Sequence, residues 1–347
     1  KSEDIAFRFQ TQGITKLSID GKEVAAGMNF KNKSKVYTLQ AEAGKEYRIK
    51  IDFAFRNRDA ALDFDMGHEV PVDLKQTVDK VKEADVIIFA GGISTAVEGE
   101  EMHVNIPGFK GGDRETIELP SIQSRLLAEL KKAGKKIVFV NFSGSAIALT
   151  PESKTCDAIL QAWYPGQAGG TAIANVLFGD YNPAGRLPVT FYKSTKQLPD
   201  FEDYSMKGRT YRYMTENPLF PFGHGLSYTT FQYGNASLNT SEIKDGEQVT
   251  LTIPVSNTGK YDGEEVVQVY LRHPGDKEGP SHALRAFKRV AIAKGATNNV
   301  TIPLSKENFE WFDTSTNTMR PIEGDYEILY GGTSELKQLK SIPVTIK

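Results

Sequence analysis

The strongest constraint on this chain is that the spacing of its apolar residues changes twice along the sequence. Up to about residue 66, apolar and polar residues alternate, as at Phe7 and Phe9 and throughout residues 47–55. The alternation returns from about residue 231 and is clearest in residues 249–255. Because a period of two predicts half-buried antiparallel strands, we expect β structure at both ends of the chain.

The middle of the chain follows a different pattern, in which short apolar runs alternate with segments of helical period. The apolar runs cover residues 86–90, 137–142 and 158–163. The segments with one apolar helical face cover residues 73–83 and 121–133 and the stretch that follows Gly166. Short apolar strands between amphipathic helices predict a mostly parallel sheet with helical crossovers.

These changes predict three domains. Residues 1–70 are expected to form part of a β-sandwich, residues 71–228 an α/β domain, and residues 229–347 an immunoglobulin-like β-sandwich.

Composition excludes several classes of protein. The chain has 347 residues, with 42 basic and 44 acidic side chains and a net charge of −2, which argues against a nucleic-acid partner. The longest apolar stretch, at residues 84–93, is far shorter than the ~20 residues of a membrane span. A single cysteine, Cys156, excludes an intrachain disulfide and a multi-cysteine zinc site. The sequence starts at Lys1 without an initiator methionine or a signal peptide, so we expect a piece of a longer protein.

An acidic loop follows the first apolar run, at the place where parallel sheets bind ligands. The loop is much longer than the usual connection of about two to six residues, and it contains Glu98, Glu100 and Glu101. Repulsion between such close carboxylates can raise the pKa of one of them and keep a proton available near neutral pH. Protonation of a leaving oxygen requires such a group. The spacing alone fits a solvated acidic loop at least as well.

Other reactive side chains fit structural roles better than chemistry. The histidines, among them His103 and His224, are scattered and show no metal-ligand spacing. The Ser-Gly-Ser stretch at residues 143–145 is not a nucleophile motif, and we interpret it as a turn that starts a helix. Cys156 precedes an apolar strand and is expected to be a small core residue.

Two aromatic pairs, Trp163-Tyr164 and Trp311-Phe312, have side chains that can stack on a sugar ring. Aromatic residues near strand ends more often belong to a core, so we favour that interpretation for both pairs.

A series of motifs is recognisable in the second half of the chain. Residues 163–170 read Trp-Tyr-Pro-Gly-Gln-Ala-Gly-Gly, and residues 179–191 read Gly-Asp-Tyr-Asn-Pro-Ala-Gly-Arg-Leu-Pro-Val-Thr-Phe. Residues 211–213 read Tyr-Arg-Tyr, and residues 218–228 read Pro-Leu-Phe-Pro-Phe-Gly-His-Gly-Leu-Ser-Tyr. This series resembles the C-terminal α/β domain of glycoside hydrolase family 3, in its β-glucosidase and β-xylosidase branches.

Both ends of the chain extend the resemblance. Residues 284–290 are similar to part of the fibronectin type III-like domain that closes many members of the family. The first part of the chain resembles the end of a protective-antigen-type β-sandwich, which some members carry as an insert. The implied fold is an α/β sandwich with a mostly parallel sheet, flanked by an N-terminal β-sandwich portion and a C-terminal fibronectin type III-like β-sandwich.

The resemblance implies a retaining, exo-acting β-glycosidase that hydrolyses terminal β-D-glucosyl or β-D-xylosyl residues with two carboxylates about 5–5.5 Å apart. In the family, the acid/base glutamate lies on a loop of the α/β domain, in a Ser-Gly-Glu-Gly pattern. Residues 96–99 read Ala-Val-Glu-Gly, so Glu98 matches that residue, and Glu101 and Glu100 are the fallback candidates. Asp113 and Arg114 match an Asp-Arg pair that follows the loop, and we expect them to anchor it.

The nucleophilic aspartate of the family lies on an N-terminal (β/α)8 barrel, which needs about 250 residues. We therefore expect that barrel domain as a partner in a parent chain and little activity from this chain alone. The alternative is a non-catalytic module that contacts carbohydrate or acts as a scaffold. The implied ligands are β-glucoside or β-xyloside oligosaccharides, without a cofactor or metal, and the family suggests a periplasmic or secreted protein.

Overall fold

The computed structural model describes residues 1–28, 35–55, 60–99, 104–244 and 248–347. They form two compact units, which are described separately. The first comprises Lys1–Ile87, Ile93–Glu115 and Arg125–Lys135, and the second comprises Ile88–Gly92, Thr116–Ser124 and Lys136–Lys347. The domain boundaries at residues 70 and 228 stay predictions.

The N-terminal part of the first unit is a β-sandwich of six strands. They are β1 (Glu3–Gln12), β2 (Ile14–Ile19), β3 (Lys22–Met28), β4 (Lys35–Ala41), β5 (Ile49–Ala54) and β6 (Ala61–Gly67). The strand order is β4-β1-β6 in one antiparallel sheet and β3-β2-β5 in the other. Phe7 and Phe9 of one sheet and Leu17 and Ile19 of the other share one buried core. The alternation at the start of the sequence therefore places its apolar side chains as predicted.

The predicted strand in residues 47–55 is shorter in the structure, because β5 covers Ile49–Ala54. Ile51 and Phe53 are half-buried in it, whereas Phe55 lies beyond its end and is 63% exposed. An alternating pattern continues past a strand when flanking residues share its spacing, so it predicts the existence of a strand better than its ends.

The α/β part contains strands β7 to β12 and helices α1 to α5. The strands are β7 (Val86–Gly92), β8 (Asn105–Ile106), β9 (Phe109–Lys110), β10 (Asp113–Arg114), β11 (Lys136–Phe142) and β12 (Ala158–Gln161). The helices are α1 (Leu74–Lys80), α2 (Ser121–Lys132), α3 (Thr150–Thr155), α4 (Gly169–Phe178) and α5 (Thr210–Tyr213). The main sheet has the order β12-β11-β7, and β11 and β12 run parallel with α3 between them in the chain.

Local sequence signals explain where the helices begin and end. The Asp73 side chain accepts a hydrogen bond from the Gln76 amide and caps α1. Gly134 follows α2 with a φ of +76°, and Gly179 ends α4 with a φ of +85°. Glycine adopts these left-handed conformations without a Cβ penalty. Within the described ranges, the helices are all too short or too polar to cross a membrane.

The first apolar run forms β7 but is less buried than a central strand would be. Val86 and Ile88 are 48% and 51% exposed. The reason is topological, because β7 stands at one end of the strand order of its sheet among the described strands.

The last part of the second unit is a second β-sandwich. Its strands are β13 (Phe231–Tyr233), β14 (Ser237–Leu238), β15 (Glu242–Ile243), β16 (Val249–Asn257), β17 (Gly263–Arg272), β18 (Ala283–Ile292), β19 (Thr297–Leu304), β20 (Glu310–Asp313), β21 (Thr318–Pro321), β22 (Gly324–Gly331) and β23 (Lys340–Ile346). One sheet has the order β13-β16-β14, with β19 also paired to β16, and the other has the order β15-β23-β22-β17-β18. The core between them takes alternating residues of β16 and the buried residues Tyr326, Ile328 and Tyr330 of β22.

Candidate functional site

The acidic loop starts from a tightly held strand end. The Gly92 amide donates a 2.8 Å hydrogen bond to the Gln123 side chain, and the Gln123 amide group donates a 2.7 Å bond back to the Gly92 carbonyl. Gly92 has a φ of +126°, and a Cβ on it would lie 1.9 Å from the Phe142 carbonyl oxygen. Only glycine fits here, because any other side chain would clash with the neighbouring strand.

Glu98 lies on a short turn within this loop. The amides of Val97 and Glu98 both donate to the Ser94 carbonyl, and the Gly99 amide donates to the Gly112 carbonyl at 3.1 Å. The Glu98 side chain is 24% exposed, and its Oε1 lies 3.6 Å from Nη1 of Arg114, which is 11% exposed. The carboxylate is thus fixed at its base and held beside a cation, yet it stays reachable from solvent.

The second half of the loop folds into a three-stranded antiparallel sheet, in the order β10-β9-β8. Gly108, Gly111 and Gly112 have positive φ values and make the tight connections between its two-residue strands. Arg114 stands opposite the buried Phe109 in this sheet, whereas Asp113 stands opposite Lys110 and is exposed. The small sheet therefore delivers Arg114, rather than Asp113, to Glu98.

Of the five predicted site residues, the structure brings together Glu98 and Arg114. Asp113 is next to Arg114 in the chain, but its side chain is directed to solvent. The two fallback glutamates, Glu100 and Glu101, and His103 lie outside the described residues. The choice of Glu98 as acid/base and the anchoring role of the Asp-Arg pair stay predictions.

The chemistry available at Glu98 is proton transfer. A carboxyl group that is partly exposed and restrained by neighbours can exchange a proton with a bound molecule or with water. In the described part of the chain, no three His, Cys, Asp or Glu side chains cluster as metal ligands.

The sequence motifs at residues 179–191 and 218–228 meet each other in the second unit. The Leu187 amide donates to the His224 carbonyl at 2.8 Å, and the Gly223 amide donates to the Leu187 carbonyl at 2.7 Å. The His224 ring stacks on Phe220 at 5.2 Å, and burial lowers the pKa of His224. These contacts give His224 a structural role.

A buried ion pair that sequence reasoning missed connects these motifs to the C-terminal sandwich. Arg186 donates from Nη2 to Oε1 of Glu265 at 2.8 Å, and their side chains are only 9% and 6% exposed. Burial raises the pKa of Glu265, and the nearby Arg186 guanidinium partly offsets that rise. Their separation of 79 positions in the chain left no local signal that could have paired them.

The aromatic candidates divide between core and surface. Trp311 is 2% exposed, and its Nε1 donates to Asp276 at 2.7 Å, so it is a core residue as expected. Trp163 packs edge-on against the buried Phe191, while Tyr164 is 43% exposed.

The serine and cysteine candidates lie in buried or half-buried positions. Ser143 is buried, and its hydroxyl donates to the Ser145 carbonyl at 2.8 Å. Cys156 is half-buried directly after α3.

Comparison with known proteins gives two family matches. Residues 11–228 match the family described as the glycosyl hydrolase family 3 C-terminal domain. Residues 265–334 match the fibronectin type III-like domain. The two matches confirm the α/β domain and the C-terminal sandwich that the motifs predicted.

Individual relatives agree with these matches. The chain is 48% identical over 338 residues to a protein of Xylanibacter ruminicola named xylan 1,4-beta-xylosidase, which covers 97% of this chain and 39% of the relative. It is 35% identical over 253 residues to the periplasmic beta-glucosidase of Salmonella typhimurium, covering 69% of this chain and 32% of the relative.

The fold also matches a solved structure over the full chain. A beta-glucosidase of Kluyveromyces marxianus superposes with a TM-score of 0.74 at 23% identity, covering 100% of this chain and 44% of that one. This similarity shows the fold. The chain spans about two fifths of the length of the curated relatives it matches, or less.

Proposed function

This chain belongs to glycosyl hydrolase family 3, and on that premise we propose that it is the C-terminal part of a retaining, exo-acting β-glycosidase. Its substrates would be oligosaccharides that end in a β-D-xylosyl or β-D-glucosyl residue. Glu98 would supply the acid/base, and an N-terminal barrel domain of the same protein would supply the nucleophilic aspartate. The observation that carries the proposal is the restrained, partly exposed Glu98 beside Arg114.

In this mechanism, Glu98 acts twice. It first gives its proton to the glycosidic oxygen while the nucleophile attacks the anomeric carbon and the aglycone leaves. The resulting carboxylate then takes a proton from the water that hydrolyses the glycosyl-enzyme intermediate. Both steps need a carboxyl group that keeps its position. The Gly99–Gly112 hydrogen bond and the contact with Arg114 provide that restraint.

For the terminal sugar, we favour xylose. The support is the 48% identity with a protein named as a xylosidase, against 35% with one named as a glucosidase. Side-by-side turnover of 4-nitrophenyl β-D-xyloside and β-D-glucoside by the full-length protein tests this choice, and faster turnover of the glucoside would reverse it.

The acid/base assignment is tested by Glu98→Gln in the full-length protein. Turnover of a substrate with a poor leaving group should fall by about 10²–10⁴-fold, because one general acid contributes that much. An activated aryl glycoside needs little protonation, so its glycosylation step should be least affected. With this activated substrate, azide should speed the breakdown of the glycosyl-enzyme and yield a β-glycosyl azide, since an anionic nucleophile does not need a general base.

The matched control is Glu115→Gln, because Glu115 is an exposed glutamate directly after the same small sheet. It should keep normal turnover. If Glu98→Gln also keeps normal turnover on the poor leaving group, the assignment to Glu98 is wrong, and Glu101→Gln and Glu100→Gln are tested next.

The second candidate function is a non-catalytic carbohydrate-contacting or scaffolding module. It is favoured by the chain's coverage of only 39% of its xylosidase relative. Assays of the full-length protein distinguish the two, because a loss of turnover on Glu98→Gln would exclude a purely non-catalytic module, whereas turnover that needs no glutamate of this chain would favour the module.

We also propose export to the periplasm or beyond the cell, supported by the similarity to the periplasmic beta-glucosidase of Salmonella typhimurium. Cell fractionation with a cytoplasmic marker enzyme tests this, and exclusive recovery with the marker would contradict it.

A further inference from the structure

The most exposed aromatic side chains of the second unit lie on one loop, residues 199–209, which we call the acidic aromatic loop. Phe201 is 91% exposed and Tyr204 is 89% exposed, and Met206 beside them is 45% exposed. Single exposed apolar residues are common, but here three large ones fall within six positions of one loop, and we call these three side chains the patch. Concentrations of exposed apolar side chains are a feature of interaction sites.

The loop is held rigidly by its own hydrogen bonds. Arg209 donates from its guanidinium to the carbonyls of Ser205, Asp200 and Asp203. The Asp200 and Asp203 carboxylates accept from the amides of Glu202 and Ser205 at 2.9 and 2.8 Å. A loop fixed in this way presents its aromatic rings with little ordering entropy left to lose on binding.

Acidic side chains outnumber basic ones among the exposed residues of the loop. Asp200, Glu202 and Asp203 are all exposed, against one exposed basic residue, Lys207. Hydrogen bonds from the Ser205 amide and hydroxyl lower the pKa of Asp203, so its carboxylate stays charged at neutral pH. A fitting partner therefore offers an apolar recess with basic groups at its edge.

We propose that the acidic aromatic loop is the docking surface for another domain of the same polypeptide. This rests on the proposed function, in which the chain is part of a longer glycosidase. The curated relatives extend far beyond the matched region, because this chain covers only 32–39% of their length. A domain of that size is large enough to cover the loop. Aromatic and methionine side chains are the types enriched in protein interfaces.

The experiment is hydroxyl-radical labelling of aromatic side chains, read by mass spectrometry, on the 347-residue chain and on the full-length protein. Phe201 and Tyr204 should label strongly in the chain alone and on the order of tenfold less in the full-length protein, because a docked interface excludes water. Tyr261, a 60% exposed tyrosine of the C-terminal sandwich, is the internal reference and should label equally in both. Equal labelling of Phe201 and Tyr204 in both proteins would overturn the proposal.

Variants give a second measurement. Phe201→Ser with Tyr204→Ser should leave the melting temperature of the 347-residue chain unchanged, because both side chains lie in solvent. The same pair of changes should lower the melting temperature of the full-length protein, and Tyr261→Ser should not. A full-length protein that is insensitive to the double change would also count against docking.

Two other occupants are separate outcomes, and either would overturn the proposal. If xylo-oligosaccharides protect the loop in the 347-residue chain, the occupant is a sugar. If protection rises with the concentration of that chain, the occupant is a second copy. Failure of the proposed function is distinguishable, because labelling does not depend on turnover. A protected loop without hydrolysis refutes the activity alone, and hydrolysis with an unprotected loop refutes the docking alone.

Discussion

The buried pair of Arg186 and Glu265 gives the sharpest quantitative test of how the α/β motifs hold the C-terminal sandwich. We consider Arg186→Met, which keeps the apolar stem and removes the guanidinium. The change leaves the Glu265 carboxylate, at 6% side-chain exposure, with the Val266 amide but without its cation.

Breaking a buried ion pair by removing one partner costs about 3–5 kcal/mol, because the remaining charge stays desolvated. For a unit of this size, such a loss lowers the melting temperature by on the order of 10 °C. The matched control is Arg272→Met. Its partner Glu327 lies 3.2 Å away, but the two side chains are 45% and 34% exposed. We therefore expect this control to lower the free energy of unfolding by only about 0–1 kcal/mol.

The cost of Arg186→Met should also depend on pH. Burial raises the pKa of Glu265 and Arg186 lowers it, so loss of Arg186 raises this pKa further. A carboxyl group with a raised pKa binds more protons in the folded than in the unfolded state. Folded-state stability at this group is therefore greatest at low pH and is lost as pH rises through the folded pKa. The difference in the free energy of unfolding between the wild-type chain and Arg186→Met should therefore be larger at about pH 7 than at about pH 5.

The assay is urea denaturation of the 347-residue chain and its variants at both pH values, followed by tryptophan fluorescence. Arg186→Met combined with Glu265→Met should recover most of the lost stability, because replacing both charges removes the desolvation penalty. Equal destabilisation by Arg186→Met and Arg272→Met, or a loss independent of pH, would refute the reasoning.

Three further predictions concern the same unit and the site. Burial lowers the pKa of His282 to about 4, so the free energy of unfolding should fall by up to ~3 kcal/mol as pH falls from about 6.5 to 4. His282→Gln should reduce this fall, measured by acid titration followed by circular dichroism. Gly223→Ala should lower the free energy of unfolding by about 1–3 kcal/mol more than Gly295→Ala, and melting temperatures measure the difference. Both glycines have a positive φ, but only at Gly223 would a Cβ clash with the Gln268 side chain, at 1.9 Å. Gln123→Leu should lower the free energy of unfolding by about 1–3 kcal/mol and speed hydrogen exchange at the Gly92 amide, because that amide loses its acceptor. Unchanged exchange at Gly92 would contradict the role given to this hydrogen bond.

The parts of the fold that the sequence predicted are those with a long, regular apolar period. Helix α2 covers Ser121–Lys132 and buries Leu127 and Leu130, as its 3.6-residue spacing indicates. Strand β16 alternates buried and half-buried residues over its whole length. In such segments the apolar side chains lie on one face, and burial of that face determines how the segment packs. The spacing of apolar residues therefore predicts both the element and its buried face.

The site was less predictable because its structure depends on short-range geometry without a period. Strands β8, β9 and β10 have two residues each, too few for any alternation, and glycines with positive φ set their connections. Charge favours Arg114 over Asp113 as the neighbour of Glu98, but the sequence does not show that the chain can bring them together. The antiparallel register does so, because it places Arg114 opposite the buried Phe109.

The family motifs, such as residues 218–228, and the proposed acid/base Glu98 are held in place by different contacts. Packing requires glycine at position 223, since a Cβ there would overlap the Gln268 side chain. Gln268 donates hydrogen bonds from Nε2 to the carbonyls of Gly223 and Gly332. Glu98 lies in a more open setting, because its side chain is 24% exposed and its Oε1 lies 3.6 Å from Nη1 of Arg114. Substitutions in the motifs should therefore lower stability in any assay, whereas the proposed role of Glu98 predicts that Glu98→Gln changes turnover more than stability.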